Sequence, residues 1–121
     1  VLLMPADAEE PDAATLAPLE FYTFSRECSF RLKVDHWLAS RGLKPRMTLE
    51  MESYAAMAAC VQAGCGVACV PGSLLPLILP APGLKVVEMG EEGVSNLYFV
   101  WRRHQLSDEL QTILEILARR G

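Results

Sequence analysis

The fold is decided by Met47–Pro71, whose sequence is MTLEMESYAAMAACVQAGCGVACVP. This stretch predicts a strand at Met47–Glu52 and then a helix of small residues at Tyr54–Ala63, which ends at Gly64. A second apolar strand is predicted directly afterwards, at Gly66–Val70. Because one short helix connects the two strands, they are expected to run parallel, as in a right-handed βαβ unit.

Strands and helices also alternate on both sides of this unit. Further strands are predicted at Val1–Met4, Leu19–Phe24, Lys85–Met89 and Asn96–Trp101. Further helices are predicted at Ser29–Arg41 and Ser107–Arg120. Helix N-caps are expected at Ser29, Ser53 and Ser107. Pro5–Ala17 is expected to be an exposed acidic loop, and the three prolines of Gly72–Pro82 allow one helical turn at most. The alternation predicts an α/β fold with a mixed sheet.

The composition excludes several classes of protein. The 121 residues are 51% hydrophobic, which predicts one packed domain or part of one. The formal net charge of −4 offers no basic surface to phosphates, so this chain is not expected to bind DNA by itself. No apolar run approaches the roughly 18–20 residues that a membrane helix needs. The first residues do not resemble a signal peptide and do not start with Met, so a piece of a larger protein is expected.

The cysteines are Cys28, Cys60, Cys65 and Cys69. Neither their spacing nor the distant His36 and His104 fits a zinc site. They lie among apolar and small residues, so buried free thiols are expected, which is consistent with a reducing cytoplasm. No metal or other cofactor is expected.

No arrangement typical of an enzyme is found. The sequence lacks a P-loop, a nucleophile elbow and a Gly-rich dinucleotide motif after a strand. Cys28 is the one reactive group to consider, because a helix N-terminus and nearby arginines would lower its pKa. A thiol-based sensor or an enzyme that uses Cys28 stays an alternative, although no base can be placed beside it and no second cysteine follows before Cys60.

Candidate binding residues lie where strands lead into helices. In open α/β sheets, ligands gather beyond the carboxyl ends of the strands, near helix N-termini. Two such corners are Ser25–Arg31 and Glu52–Ser53. Polar contacts are expected from Ser25, Cys28, Ser29 and Arg31, and a neighbouring wall from Glu52, Ser53, Gly66 and Val67. Arg26 and Arg31 favour an anionic ligand.

These candidates also have purely structural explanations. Ser29 and Ser53 can act as helix caps and nothing more. Arg31 can form an exposed ion pair with Glu27 or Asp35 on the helix surface, which would contribute little. The sequence leaves both explanations open.

Three parts of the sequence resemble the inducer-binding domain of LysR-type transcriptional regulators. The central one is V-x-A-G-x-G-V-A-x-V-P at Val61–Pro71, which follows a strand, an E-S pair and an Ala-rich helix. The others are C-S-F-R at Cys28–Arg31, followed by Trp37–Leu38, and V-W-R-R-x-x-L-S at Val100–Ser107. Cys65 departs from the family, which usually has an aliphatic residue there, but a buried thiol would fit the same space.

The resemblance implies an α/β lobe like those of periplasmic solute-binding proteins, with a mixed, mainly parallel sheet flanked by helices. Residues 18–89 would form the second lobe, residues 1–5 and 96–102 the crossing strands, and residues 107–120 the closing helix of the first lobe. A small-molecule effector would bind between the lobes. DNA would be bound only through a winged helix-turn-helix outside this chain, in a homo-oligomer, commonly a dimer or tetramer, without catalytic activity.

A fragment of a periplasmic solute-binding protein is the main alternative, because such proteins share the two-lobed architecture. Unpaired cysteines argue against an oxidising periplasm, and the order of the motifs favours the regulator. The sequence therefore predicts the effector-sensing domain of a bacterial transcription regulator that works in the cytoplasm.

Overall fold

The computed structural model describes residues 1–9, 11–96, 98–102 and 106–119. Its strands are β1 (Leu2–Pro5), β2 (Glu20–Thr23), β3 (Met47–Glu50), β4 (Gly66–Cys69) and β5 (Leu84–Val87). Its α-helices are α1 (Ala13–Leu16), α2 (Ser29–Ser40), α3 (Tyr54–Gln62), α4 (Leu75–Ile78) and α5 (Asp108–Ala118). Short 3₁₀ turns lie at Gly72–Leu74 and Gly90–Gly93.

Within the described residues, five strands form one mixed sheet in the order β3-β2-β4-β1-β5. β2 pairs in parallel with β3 and β4, whereas β1 pairs antiparallel with β4 and β5. Four of these five strands therefore run in one direction, which confirms the predicted mixed, mainly parallel sheet. The unit β3-α3-β4 is parallel as expected, but β2 lies between its two strands.

Both faces of the sheet are covered, because successive residues of each strand point to opposite sides. One core cluster contains strand residues and residues of α2, among them Leu2, Phe21, Val67, Val34, Trp37 and Leu38. The other contains the alternate strand residues and residues of α3, among them Leu3, Tyr22, Ala68, Met57, Ala58 and Val61. Apolar residues on both faces of a strand explain why the central strands appear as continuous hydrophobic runs.

Two of the three predicted helix caps are confirmed. The side chains of Ser53 and Ser107 each accept a hydrogen bond from the N–H three residues on, at 3.2 and 3.3 Å. Gly64 ends α3 with a φ of +77°, a conformation that glycine adopts without a steric penalty. The prediction for Ser29 is wrong. Cys28 is the N-cap of α2, without a side-chain hydrogen bond, and Ser29 is already helical.

Two segments predicted to be irregular contain helices. The expected loop Pro5–Ala17, of which Glu10 lies outside the described residues, includes α1, and Leu16 is fully buried in the cluster beneath α2. A 3₁₀ turn and α4 follow each other within Gly72–Pro82, which is more helix than predicted. Pro76 is tolerated because it lies in the first turn of α4, where a backbone N–H has no helical partner.

The carboxyl-terminal part makes few contacts with this body. The predicted strand Asn96–Trp101 is wrong for its described residues, which belong to no strand, and Leu97 lies outside them. Aromatic residues favour a strand only where the segment pairs with a sheet, and the described residues of this segment pair with neither edge strand, β3 or β5. The closing helix is confirmed as α5, although Arg120 lies outside the described residues. No residue of α5 is buried.

Candidate functional site

A cavity of about 400 Å³ opens at the carboxyl ends of β2 and β4, between the first turns of α2 and α3. Its walls come from the end of β2, the start of each helix, the end of β4 and the segment after Met89. They include Thr23, Phe24, Phe30, Lys33, Val34, Tyr54, Cys69, Val70, Pro71, Ser73, Met89, Gly93, Ser95 and Asn96. The volume is within the range of small-molecule sites, and the position is where open α/β sheets bind ligands.

Aromatic rings form a large part of the wall. The rings of Phe24 and Tyr54 lie 4.4 Å apart between centroids, at 44° to each other. Phe24 follows β2 and Tyr54 begins α3, so this contact joins two elements at the mouth of the sheet. Phe30, in the first turn of α2, lines the cavity and is 39% exposed. The arrangement offers a flat apolar surface to a ligand.

The polar side chains of the wall include Thr23 and Lys33, besides Ser73, Ser95 and Asn96. Thr23 is 2% exposed at the end of β2. Lys33 donates from Nζ to the carbonyl of Val94, which holds the segment after Met89 against α2. An ammonium group has three donors, so the contact with Val94 leaves two for a ligand.

Two ionisable side chains of the wall, Cys69 and Tyr54, are neutral near pH 7. Burial raises the pKa of the Cys69 thiol to about 11, and this thiol lies 3.4 Å from the Met89 sulfur. Burial also raises the pKa of the Tyr54 phenol. The Cys69 thiol is therefore a poor nucleophile near neutral pH, because the thiolate is the reactive form.

The first predicted corner flanks the cavity without lining it. Ser25 is exposed in a turn, where its carbonyl accepts a hydrogen bond from the Cys28 N–H at 3.0 Å. Cys28 is half-buried and free, and Ser29 is exposed. All three lie at the same edge of the sheet as the cavity, but their side chains are not part of its wall. Their contact with a ligand stays a prediction.

Arg31 is buried, contrary to the expectation of a surface ion pair. Its side chain is 7% exposed and donates from Nε to Asp35 at 2.8 Å and from Nη1 to the carbonyl of Phe24 at 3.2 Å. Glu50, at the end of β3, lies 3.6 Å from Nη1. Arg31 therefore ties α2 to the ends of β2 and β3. This explains its position structurally, beside the cavity rather than within it.

The second predicted corner also lies next to the cavity. Glu52 and Ser53 are exposed, and Ser53 uses its hydroxyl as the cap of α3. The residue that reaches the wall is their neighbour Tyr54. A ligand role for Glu52 or Ser53 stays a prediction, with the capping role of Ser53 established.

Gly66 and Val67 lie at the opposite end of the parallel strands from the cavity, where β4 begins. Gly66 pairs with Glu20 at the start of β2. A Cβ at Gly66 would be 2.3 Å from the Glu20 carbonyl oxygen and 3.0 Å from Tyr22 Cε2. The glycine therefore allows two strands to approach, and it does not form a wall of the cavity.

The sequence contains a signal for the residues of the cavity wall that were not predicted. Ligands gather at the carboxyl ends of parallel strands, and for β4 this end is Cys69–Pro71. Thr23 and Phe24 are likewise the end of the strand LEFYTF. Phe30, Lys33 and Val34 lie on one face of α2 at helical spacing. The sequence instead favoured the polar residues of the corners Ser25–Arg31 and Glu52–Ser53, because their hydroxyls and charges are typical of ligand contacts.

The four cysteines are free, but not all of them are buried. Cys65 is exposed because it lies in the turn between α3 and β4, so the expectation of a buried thiol is wrong there. Across the described residues, no three His, Cys, Asp or Glu side chains are grouped as metal ligands. In the same residues, every helix is too short or too polar to cross a lipid bilayer.

The fold and the cavity define a small-molecule-binding lobe, and the comparison with protein families names its class. The LysR substrate binding domain family matches residues 1–121, and the chain belongs to this family. The family is non-enzymatic in general. Its members have the architecture of periplasmic binding proteins, as expected, and the alternative of a solute-transport fragment is not favoured.

The chain is similar to the HTH-type transcriptional regulator IlvR of Caulobacter vibrioides. The two sequences are 30% identical over 117 residues, which is 94% of this chain and 39% of that protein. The chain thus spans well under half the length of this curated relative.

Proposed function

We propose that this chain is the effector-sensing part of a LysR-type transcription regulator and that it binds its effector in the cavity at the carboxyl ends of β2 and β4. The observation that carries the proposal is that cavity, with aromatic walls, the Lys33 ammonium and the Thr23 hydroxyl. Family membership supports a sensing role over a transport role or a catalytic role.

The effector acts by linkage. A molecule that binds one arrangement of the regulator better than another shifts the population toward the first, by as much as the two affinities differ. The segment after Met89 forms one wall of the cavity, and Lys33 connects it to α2. A ligand there contacts both the body of the lobe and the chain that leaves it toward α5.

The layout of the rest of the regulator is part of the proposal, and family membership supports it. Residues 18–89 are the second lobe, residues 1–5 and 96–102 cross to the first lobe, and residues 107–120 pack on that lobe. DNA is bound by a winged helix-turn-helix outside these residues, in a bacterial cytoplasm. The protein self-associates as a dimer or tetramer. The exposed Ile113, Ile116 and Leu117 of α5 support this layout, because apolar side chains on a helix are stable when another surface covers them.

The test uses the full-length protein that carries these residues. We expect it to select DNA fragments from its own genome, and light scattering to give at least a dimer. In a metabolite library, an effector should raise the melting temperature and change the affinity for the selected DNA, since a ligand of the folded state stabilises it by mass action.

Two tryptophan substitutions locate the effector. Ser73→Trp fills the cavity from its wall and should abolish the response. Lys44→Trp adds bulk at an exposed position away from the cavity and should leave the response intact. A protein that selects no DNA, or that keeps a full response in Ser73→Trp, would contradict the proposal.

A further inference from the structure

We propose that the cavity selects a small monocarboxylate with an apolar body, whose carboxylate binds the Lys33 ammonium and whose body lies against Phe24, Phe30 and Tyr54. The inference rests on the proposed function, because it names the chemical class of the effector. It depends on the charge, the hydroxyl and the rings of the wall, which are considered in turn.

The charge of the wall selects the charge of the ligand. Among the described side chains that line the cavity, Lys33 is the one with a full charge at neutral pH. Glu92, which precedes the lining residue Gly93, is engaged elsewhere: Arg41 donates to one of its oxygens, and His36 Nδ1 lies 3.6 Å from the other. The side chain of Arg41 also lowers the pKa of Glu92. A cationic ligand therefore finds no carboxylate in this wall, whereas an anion finds one ammonium.

A second negative charge would find no second charged side chain among the described residues of the wall. The neighbouring Arg31 is occupied by Asp35, Glu50 and the Phe24 carbonyl, so it does not add to the charge of the cavity. A buried charge without a partner is strongly unfavourable. Dicarboxylates and phosphate esters, which carry about two charges, are therefore disfavoured relative to a monocarboxylate of equal size.

The Thr23 hydroxyl gives a second polar contact. Thr23 lies at the end of β2, is 2% exposed as a residue and lines the cavity. A threonine hydroxyl can both donate and accept a hydrogen bond. A carboxylate oxygen, or a polar substituent next to the carboxylate, would accept its proton.

The remaining wall fits an apolar body. Phe24 and Tyr54 present adjoining rings. Val34, Val70 and Met89 extend the apolar surface inward, and each of these three residues is at most 4% exposed. Burying apolar surface stabilises a complex by roughly 25 cal/mol per Å². A cavity of about 400 Å³ accommodates a branched aliphatic chain or a single ring with a short linker.

The experiment measures affinities of matched probes for the full-length protein by calorimetry. The probes are 4-methylpentanoate, 3-phenylpropanoate, 3-phenylpropanamide, 3-phenylpropylammonium and heptanedioate, which separate the charge from the shape. We expect the two monocarboxylates to bind at least tenfold more tightly than the amide, the ammonium or the dicarboxylate, because charge-assisted hydrogen bonds are about twice as strong as neutral ones.

Lys33→Met tests the residue that selects the charge. It should weaken binding of 3-phenylpropanoate by roughly tenfold to a hundredfold and leave binding of the amide unchanged, which also shows that the variant is folded. Thr23→Val, a change of similar shape, should cost roughly threefold to tenfold. The matched controls Lys44→Met and Thr48→Val lie at exposed positions away from the cavity and should change neither affinity.

Each contrary outcome overturns the proposal. These are tighter binding of the dicarboxylate or the ammonium, equal loss of amide and carboxylate affinity in Lys33→Met, or no binding of any monocarboxylate at millimolar concentration. The proposed function fails separately, if no small molecule changes the affinity of the regulator for DNA. An effector of another charge that is blocked by Ser73→Trp would keep the function and reject only the monocarboxylate.

Discussion

The two ends of the parallel strands, called here the amino-terminal edge and the carboxyl edge, differ in how their polar groups are satisfied. At the amino-terminal edge, Glu20 accepts hydrogen bonds from Tyr22 and Arg46, each at 2.9 Å, and Gly66 lets β4 approach the Glu20 carbonyl. At the carboxyl edge, Thr23 and Lys33 keep hydrogen-bonding capacity beside a cavity. At the amino-terminal edge the polar groups bind one another and hold the strands together, whereas at the carboxyl edge they remain available to a ligand. Substitutions at the two edges should therefore separate stability from binding.

The largest effect is expected at the amino-terminal edge, for Gly66→Ala. The added Cβ would lie 2.3 Å from a backbone oxygen that cannot move without shifting β2. Overpacking of this kind should lower the free energy of unfolding by about 2–3 kcal/mol, measured by urea denaturation.

Gly72→Ala is the matched control at the carboxyl edge. Its new Cβ would meet Val1 Cγ1 at 3.6 Å, which is ordinary van der Waals contact. Its stability should change by less than about 1 kcal/mol, as for most substitutions without a clash. Equal losses in the two variants would remove the distinction between the edges.

An intermediate effect is expected for Arg31→Met, which lies between the cavity and the core. The change removes the hydrogen-bond donor of the Phe24 carbonyl and of Asp35, and it removes the ion pair with Glu50. Both carboxylate side chains are 49% exposed. Because water can solvate these carboxylates, the loss of stability should be about 1–2 kcal/mol rather than the larger cost of an isolated buried charge.

The same variant sharpens the role of the carboxyl edge. Arg31→Met should change the affinity for 3-phenylpropanoate much less than Lys33→Met does, and the exposed Arg26→Met should change neither stability nor affinity. If Arg31→Met abolished binding at unchanged stability, Arg31 would be a ligand residue, as the sequence suggested.

At neutral pH the smallest effect is expected from Cys69, whose ionisation changes stability only at high pH. The pKa of Cys69 is raised from 9.0 to about 11 in the folded protein, because burial disfavours the thiolate. Between pH 9 and pH 11 the unfolded chain loses this proton and the folded chain keeps it, so stability is full below pH 9 and falls as the pH rises. The expected slope is about 1.4 kcal/mol per pH unit.

Cys69→Ala should remove this part of the slope in urea denaturation between pH 9 and pH 11. Tyr22, whose pKa burial raises to about 12, contributes only from about pH 10 upward, so the lower half of the range isolates the thiol. Cys65→Ala, at an exposed position, should leave the slope unchanged. An identical slope in the native protein and Cys69→Ala would show that Cys69 is solvated.

The sequence predicted the elements better than it predicted the site. Ser53, Gly64 and the apolar spacing of α2 and α3 fixed helix ends and buried faces, because capping and periodicity are local properties. Of the predicted site residues, those at Ser25–Arg31 and Glu52–Ser53 lie beside the cavity, whereas Gly66 and Val67 lie at the opposite end of β4. The elements that pack around a strand end decide which of its residues faces a cavity. A local sequence pattern does not specify this packing.

What the sequence determined by itself is the alternation of strands and helices, the parallel βαβ unit and the family, since these depend on local periodicity and on motifs. Only the tertiary structure decided that β2 lies between β3 and β4, that Arg31 is buried and that Cys65 is exposed. These features depend on contacts between residues far apart in the chain. The same holds for the meeting of Lys33, Thr23 and Tyr54 around one cavity, which the sheet brings together from three elements.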